Sequence, residues 1–315
     1  MMAKNSLKSL YNIPYGTIIK GKWHKETYKI IKELGSGANG VVYLADWNRK
    51  RVALKVSDRQ DTITTEVNVL RSLSKAQGMT LGPSLLDVDD WELGDRKVPF
   101  YVMEYIEGVD FLTFVRSRGL EWLDILILQL LTELDELHKE GWVFGDLKPE
   151  NLLVSGPPIR IRCVDVGGTT RIGRAIKEFT EFFDRGYWGL GSRKAEAQYD
   201  LFAVAMVIIN TFYPKRFQRV ATKDGLSQII EKIEQIPELK KRRKVLMKAL
   251  KGEYISAAKM KEDISQLKFV RKKRGKQTLS NRRKTREFFI SILESLFILS
   301  MICLIYAIYV LGKVL

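Results

Sequence analysis

Gly35-Ser36-Gly37-Ala38-Asn39-Gly40-Val41-Val42 fits the pattern G-x-G-x-x-G-x-V. Glycines at such positions let backbone amides approach phosphates closely. A tight hairpin is the plain alternative. The stretch lies between two predicted strands rather than between a strand and a helix, which argues against a Rossmann dinucleotide site. Fifteen residues beyond Gly40, Lys55 closes the apolar run Val52-Ala53-Leu54-Lys55. Aimed into a cleft, its ammonium would meet the α- and β-phosphates of ATP. Otherwise it is a lysine snorkelling at a sheet edge. Glu66, in a helix-patterned stretch, could pair with Lys55 or face solvent. Leu137 to Leu153 reads LHKEGWVFGDLKPENLL, and Asp165-Val166-Gly167 follows an apolar stretch. Asp146 could orient a hydroxyl and accept its proton, while Asn151 and Asp165 offer hard oxygens to Mg²⁺.

These groups need elements to hold them. Residues 28–57 read as strands (YKIIKELG, GVVYLADW, KRVALKVS), rich in β-branched and aromatic residues and punctuated by glycine. From 61 to 75 the apolar Ile63, Val67, Leu70 and Leu73 recur at helical spacing. Residues 98–104 predict a strand, and 121–139 a long apolar helix ended by Gly141. Beyond 198 helices dominate, with Tyr199 to Phe212 apolar enough to be deeply buried. The fold class is α+β, a small strand-rich lobe preceding a larger helical one.

In this order and at this spacing the five stretches are specific. Over roughly residues 17–265 the chain resembles the Hanks-type protein kinases, most of all the tail-anchored bacterial YabT group. The resemblance implies a bilobal kinase domain over 17–267, with an N-lobe to about 105 and a C-lobe from about 106. It implies ATP and Mg²⁺ (or Mn²⁺) as cofactors and Ser/Thr hydroxyls of proteins, its own included, as acceptors. In that family Gly35 to Gly40 covers the nucleotide, Lys55 pairs with Glu66, Asp146 is the base, and Lys148 steadies the transferred group. Met103 becomes the gatekeeper and Glu104-Tyr105-Ile106 the hinge. Leu34, Val42, Ala53 and Leu153 sandwich the adenine. Asp200 ties the catalytic loop to the helical core, and Thr180 helps to seat the acceptor hydroxyl. His138 takes a structural place and His24 an exposed one.

The chain also departs from the family pattern. Phe144-Gly145-Asp146 stands for His-Arg-Asp, so the arginine that normally meets an activation-loop phosphate is missing. Phe144 and Val166 can still fill the apolar spine positions. Ala-Pro-Glu is absent, the aligned stretch being roughly Arg185-Gly186-Tyr187. The main expectation is an active Ser/Thr protein kinase. The alternatives are a pseudokinase serving as a membrane-tethered binding module, and a small-molecule kinase.

The formal net charge of +16 is concentrated. Residues 240–251 hold seven basic residues (Lys240, Lys241, Arg242, Arg243, Lys244, Lys248 and Lys251) and no acid. Residues 268–286 hold ten, among them Arg271, Lys272, Lys273, Arg274, Arg282, Arg283 and Lys284, again with no acid. Together they exceed the whole net charge, so the rest of the chain is near neutral. Phe288 to Leu311 has a single charge, Glu294, and is long enough to cross a bilayer. With 1–16 as an N-terminal extension, 268–287 becomes a basic juxtamembrane linker and 312–315 a short external tail. Positive charge marks the cytoplasmic side, so a single-pass membrane protein with a cytoplasmic catalytic body is expected, with no signal peptide and no external sensor domain. The basic runs could set topology, meet anionic lipid, or contact DNA independently of sequence. A homodimer for trans-autophosphorylation is a further expected partner. The two cysteines, Cys163 and Cys303, form no CxxC pair, which argues against structural zinc and against a disulfide framework.

Overall fold

The computed structural model describes residues 12–37, 39–75 and 81–267. The expected linker, membrane helix and tail lie outside these residues, as do Ala38 and the polyanion candidates of 271–284. No helix among the described residues is long and apolar enough to cross a membrane.

The N-lobe is one antiparallel sheet of β1 (Ile18–Lys20), β2 (Thr27–Gly37), β3 (Gly40–Trp47), β4 (Lys50–Val56), β5 (Leu85–Leu93) and β6 (Arg96–Glu104), in the order β1-β2-β3-β4-β6-β5. Alternation along the strands turns Tyr28, Ile30, Tyr43, Ala45, Val52, Leu54, Phe100 and Val102 to one side, where they form a closed apolar core. Helix α1 (Gln60–Lys75) follows β4 and packs through Ile63, Val67 and Leu70, as the helical spacing predicts.

Sequence patterning does not reveal β1 or β5, and these two strands close the sheet. Gly21 bridges to Trp91, and the Lys22 amide donates to the Asp90 carbonyl at 2.8 Å. The two edges therefore meet instead of exposing unpaired backbone. Asp89 sits beneath this closure, its side chain wholly covered. It accepts the amides of Trp23 (2.9 Å), His24 (2.8 Å) and Asp90 (2.7 Å). Any side chain at position 21 would overlap the Asp89 carboxylate. His24 is exposed as expected and rests on Asp87.

The C-lobe is built on α2 (Phe111–Arg118), α3 (Glu121–Lys139), α4 (Arg185–Trp188), α5 (Ala197–Phe212), α6 (Gly225–Gln235), α7 (Pro237–Lys240) and α8 (Arg243–Leu250), and residues 257–267 are also helical. Helix α5 is buried on every side from Tyr199 to Asn210, as its composition predicts. Helix α3 stops two residues before Gly141, whose φ of 82° turns the chain toward the catalytic loop. Short strands frame the loops: β7 (Val109–Asp110), β9 (Leu152–Ser155) and β10 (Arg160–Cys163) form one sheet, and β8 (Trp142–Val143) pairs with β11 (Thr170–Arg171).

In the basic run 240–251, Lys240 and Arg243 hold Glu234, and Lys241 holds Glu238. Arg242 forks onto Asp124 of α3 at 2.8 and 2.9 Å. Four of the five polyanion candidates in this run thus already carry carboxylates.

Asp89 makes the closure testable. Burial disfavours its ionised form, but the three amides outweigh that and hold its carboxyl below the usual range. A group so depressed stabilises the fold above the unfolded pKa of about 3.9 and loses that contribution as pH falls through the folded value. Asp89→Ala is expected to cost about 1–3 kcal/mol at pH 7. The difference from wild type should shrink below about pH 4. Urea unfolding followed by tryptophan fluorescence checks both.

Candidate active site

Lys55 lies in β4 opposite Val42 of β3 and Tyr101 of β6. Its Nζ meets Glu66 Oε1 of α1 at 2.7 Å, and the Tyr101 hydroxyl donates to Glu66 Oε2 at 2.9 Å. All three side chains are buried. Lys55 is therefore not an edge lysine, and Glu66 is not a solvated helix charge. Burial pushes the Glu66 carboxyl up, against the opposing pull of Lys55 and Tyr101. The Tyr101 phenol is driven far up by burial and by Glu66. Tyr101 escapes a reading by motif, because only the strand register sets it opposite Lys55.

The glycine-rich stretch is the end of β2, the turn and the start of β3, with Gly35, Ser36 and Gly37 paired to Val42, Val41 and Gly40. Gly40 has a φ of 129°, and a Cβ there would collide with the Val56 carbonyl. Gly35 and Gly37 differ, since a Cβ on either would meet nothing within 4 Å. Chain packing does not demand glycine at those two positions, whereas close approach of a phosphate would. Ala53 and Met103 are cross-strand partners and both are buried, as is Ile106. Val42 and Leu153 are half-buried, and Leu34 and Ser36 are exposed. The Glu104 side chain is engaged by Arg162 at 3.0 and 2.8 Å, and Arg162 also donates to the Gly82 carbonyl at 2.9 Å. Burial opposes ionisation of Glu104, but Arg162 and the Ser84 amide hold its carboxyl low. Arg162, which motif reading also misses, braces the hinge from β10.

The catalytic loop forms a triangle. Lys148 Nζ lies 2.5 Å from Asp146 Oδ2 and 3.1 Å from Thr180 Oγ1, and the Thr180 hydroxyl donates to Asp146 Oδ1 at 3.0 Å. Asp200, wholly buried, accepts the amides of Phe144 (2.8 Å) and Gly145 (2.9 Å), and His138 Nε2 lies 2.9 Å away. The structural places expected for Asp200 and His138 are the ones they occupy. Phe144 and Val166 are each 2% exposed, the burial that the expected spine positions require. Asn151 commits its Nδ2 to the Asp146 carbonyl at 2.9 Å, which leaves its amide oxygen as a ligand. The Val164 amide, one residue before Asp165, donates to the Asn151 carbonyl at 3.0 Å. An amide oxygen and an exposed carboxylate are the hard donors that Mg²⁺ takes.

Gly145 explains the missing arginine in physical terms. Its φ is 84°, and a Cβ there would stand 2.5 Å from the Gly168 carbonyl oxygen and 3.5 Å from Ile176 Cδ1. No side chain fits. The activation segment is held by backbone instead: Gly173 donates to Ala195, Ala195 to Arg174, and Ile176 to Arg193, at 2.7–2.8 Å. Ile176 packs with Val143, Ala195 and Tyr199. Where Ala-Pro-Glu is absent, buried Asp184 accepts the amides of Gly186 (3.0 Å) and Tyr187 (2.9 Å), Arg193 Nε (2.8 Å) and the Tyr199 hydroxyl (3.0 Å). Arg185 pairs with Glu196 beside it.

One more acidic residue enters the cleft without a motif to announce it. Glu178, half-buried, accepts from Asn39 Nδ2 at the tip of the glycine-rich loop. Burial and the nearby Asp165 charge push its carboxyl up, against Asn39 and Lys55.

A two-lobed body with a buried Lys–Glu pair above the cleft and an aspartate–lysine–threonine triangle below it defines a phosphotransferase architecture. Residues 28–297 match the model of the protein kinase domain family. The chain is 54% identical over 266 residues to the serine/threonine-protein kinase YabT of Bacillus subtilis (strain 168), covering 84% of this chain and 78% of that one. It is 35% identical over 145 residues to the serine/threonine-protein kinase cds1 of Schizosaccharomyces pombe, covering 41% of this chain and 30% of the relative. The PknI kinase domain of Mycobacterium tuberculosis shares the fold at a TM-score of 0.57 and 16% identity, over 81% of this chain and 99% of that one. This chain belongs to the protein kinase domain family.

Tyr101 gives a direct test of the buried pair. Tyr101→Phe removes one donor from a buried carboxylate, which is expected to slow phosphoryl transfer about tenfold. With one charge-stabilising bond gone, the Glu66 carboxyl rises further. The loss should therefore deepen toward acid pH, seen as an upward shift of the acid limb in a pH–rate profile.

Proposed function

We propose that this chain is a serine/threonine protein kinase that transfers the γ-phosphoryl group of ATP to hydroxyls of proteins, itself included. The observation that carries this reading is the triangle of Asp146, Lys148 and Thr180, with bonds of 2.5, 3.0 and 3.1 Å. An acceptor hydroxyl placed beside Asp146 donates its proton to that carboxylate as its oxygen attacks phosphorus. Thr180 steadies the acceptor, and Lys148 offers positive charge where the transferred oxygens gather. Lys55, fixed by Glu66, is set to meet the α- and β-phosphates. Mg²⁺, held by Asn151 and Asp165, supplies neutralisation of phosphate charge when bound. The YabT relative is named a serine/threonine kinase, which supports that acceptor class. The pseudokinase reading loses ground because base, lysine and metal-ligating groups are all present and brought together.

The body is further proposed to be tethered to a membrane through 288–311, a 24-residue stretch with one charge. The basic residues of 268–286 are proposed to draw it to anionic lipid or DNA.

The test of the activity is incubation of the full chain with labelled ATP, Mg²⁺ and a generic protein substrate. Phosphoserine or phosphothreonine is expected, and Asp146→Asn should lower its rate about 10²- to 10⁴-fold. Absence of transfer to protein under any condition sinks the proposal. The basic linker is tested separately by adding DNA or anionic vesicles. Activity should rise at low salt and the rise should fade as ionic strength screens the contact. Equal activity with and without polyanion at low salt refutes that part.

A further inference from the structure

Glu178 stands two residues before Thr180 and takes no part in the triangle around Asp146. Its carboxylate instead accepts a hydrogen bond from Asn39, across the mouth of the cleft. The two residues are 139 positions apart in sequence, one at the tip of the glycine-rich loop and the other in the activation segment. The second carboxylate oxygen faces inward. A Cβ placed on Gly167 would lie 3.2 Å from Asp165 Oδ1 and 3.7 Å from Glu178 Oε2. Glu178 thus sits beside the residues proposed to hold metal and phosphates, while its outer oxygen holds the loop above them.

A loop carrying three glycines is costly to order, because glycine loses more backbone freedom than any other residue. Gly35 and Gly37 are paired across the strands to Val42 and Gly40, but the open space where a side chain would stand means that no side-chain packing adds to that pairing. A hydrogen bond to the loop tip removes part of that freedom before a nucleotide arrives, and such preorganisation appears as affinity.

We propose that Glu178 is a positioning residue for the nucleotide: by holding Asn39 it draws the glycine-rich loop down over the phosphates and links closure of that loop to the seated activation segment. The bond joins the two parts of the site that must be in place together, the cover over the donor and the platform for the acceptor. This inference rests on the kinase reading above.

The experiment uses the full chain and reads ATP affinity by nucleotide binding as well as by the KM for ATP in protein phosphorylation. Glu178→Ala and Asn39→Ala are each expected to weaken ATP about fivefold, with the effect falling mainly on KM. The double variant should be no weaker than either single one, because both remove the same bond. Glu178→Gln keeps an acceptor for Asn39 and is expected to recover most of the affinity lost in Glu178→Ala. Three results overturn the proposal: single variants that bind ATP like wild type, additive single effects, or a Glu178→Gln as weak as Glu178→Ala while Asn39→Ala binds normally. The last would mean that the carboxylate acts through its charge on the cation. Wild-type chain that binds and phosphorylates while the variants match it defeats this inference alone. Wild-type chain that neither binds ATP nor phosphorylates defeats the kinase reading and this inference with it.

Discussion

Burying an ammonium beside a carboxylate is the constraint on which the upper half of this site depends. Lys55 and Glu66 come from different elements, and each is tolerable in an apolar interior only with the other beside it. Removing one partner of such a pair commonly costs about 3–5 kcal/mol, because the remaining charge is stranded. Strand β4 and helix α1 must therefore keep their register. Tyr101 takes the second oxygen of Glu66, leaving the carboxylate little unmet bonding capacity. The consequence reaches the lower lobe, since a Cβ on Gly167 would stand 3.0 Å from Glu66 Oε1. Glycine lets the Asp165-Val166-Gly167 turn lie against the pair without displacing the Glu66 carboxylate.

Below the cleft, buried carboxylates that accept main-chain amides do most of the organising. Asp200 gathers Phe144 and Gly145, and Asp184 gathers the turn that stands in place of Ala-Pro-Glu. Asp89 performs the same service at the closure of the N-lobe sheet. A carboxylate that receives two or three N–H groups replaces most of the hydration it loses on burial. This is why the activation segment can be seated without an arginine–phosphate contact. Backbone bonds from 173–176 to 193–195 and the packing of Ile176 hold it, and the carbonyl of Gly168 occupies the space an arginine at 145 would need.

Motif chemistry was largely legible in sequence because it depends on residue type and spacing. Lys55, Glu66, Asp146, Asn151 and Asp165 were readable in this way, while Lys148, Thr180 and Asp200 were marked by the family resemblance. The structure joins Lys148 and Thr180 to Asp146 and buries Asp200 beneath the loop that carries it. Helices α1, α3 and α5 were legible through periodicity or continuous apolar character. Strands β1 and β5 were not, because β1 has three residues and β5 mixes acidic with apolar positions. Their identity as strands comes from the pairing that closes the sheet. Tyr101, Arg162 and Glu178 were hidden for a related reason. Each acts through a partner at least 35 residues away, and nothing local marks it.

The run at 240–251 shows the same division from the opposite side. Its charge is plain in the sequence, yet only the fold shows that Glu234, Glu238 and Asp124 pair with four of its basic residues. The sequence by itself determined which groups can do chemistry, since hydroxyl activation, phosphate contact and metal ligation each require particular side chains at particular spacings. Only the tertiary structure decided how charges are paired, which strands close the lobe and what holds the activation segment. Those outcomes depend on which distant atoms share a few ångströms of buried space.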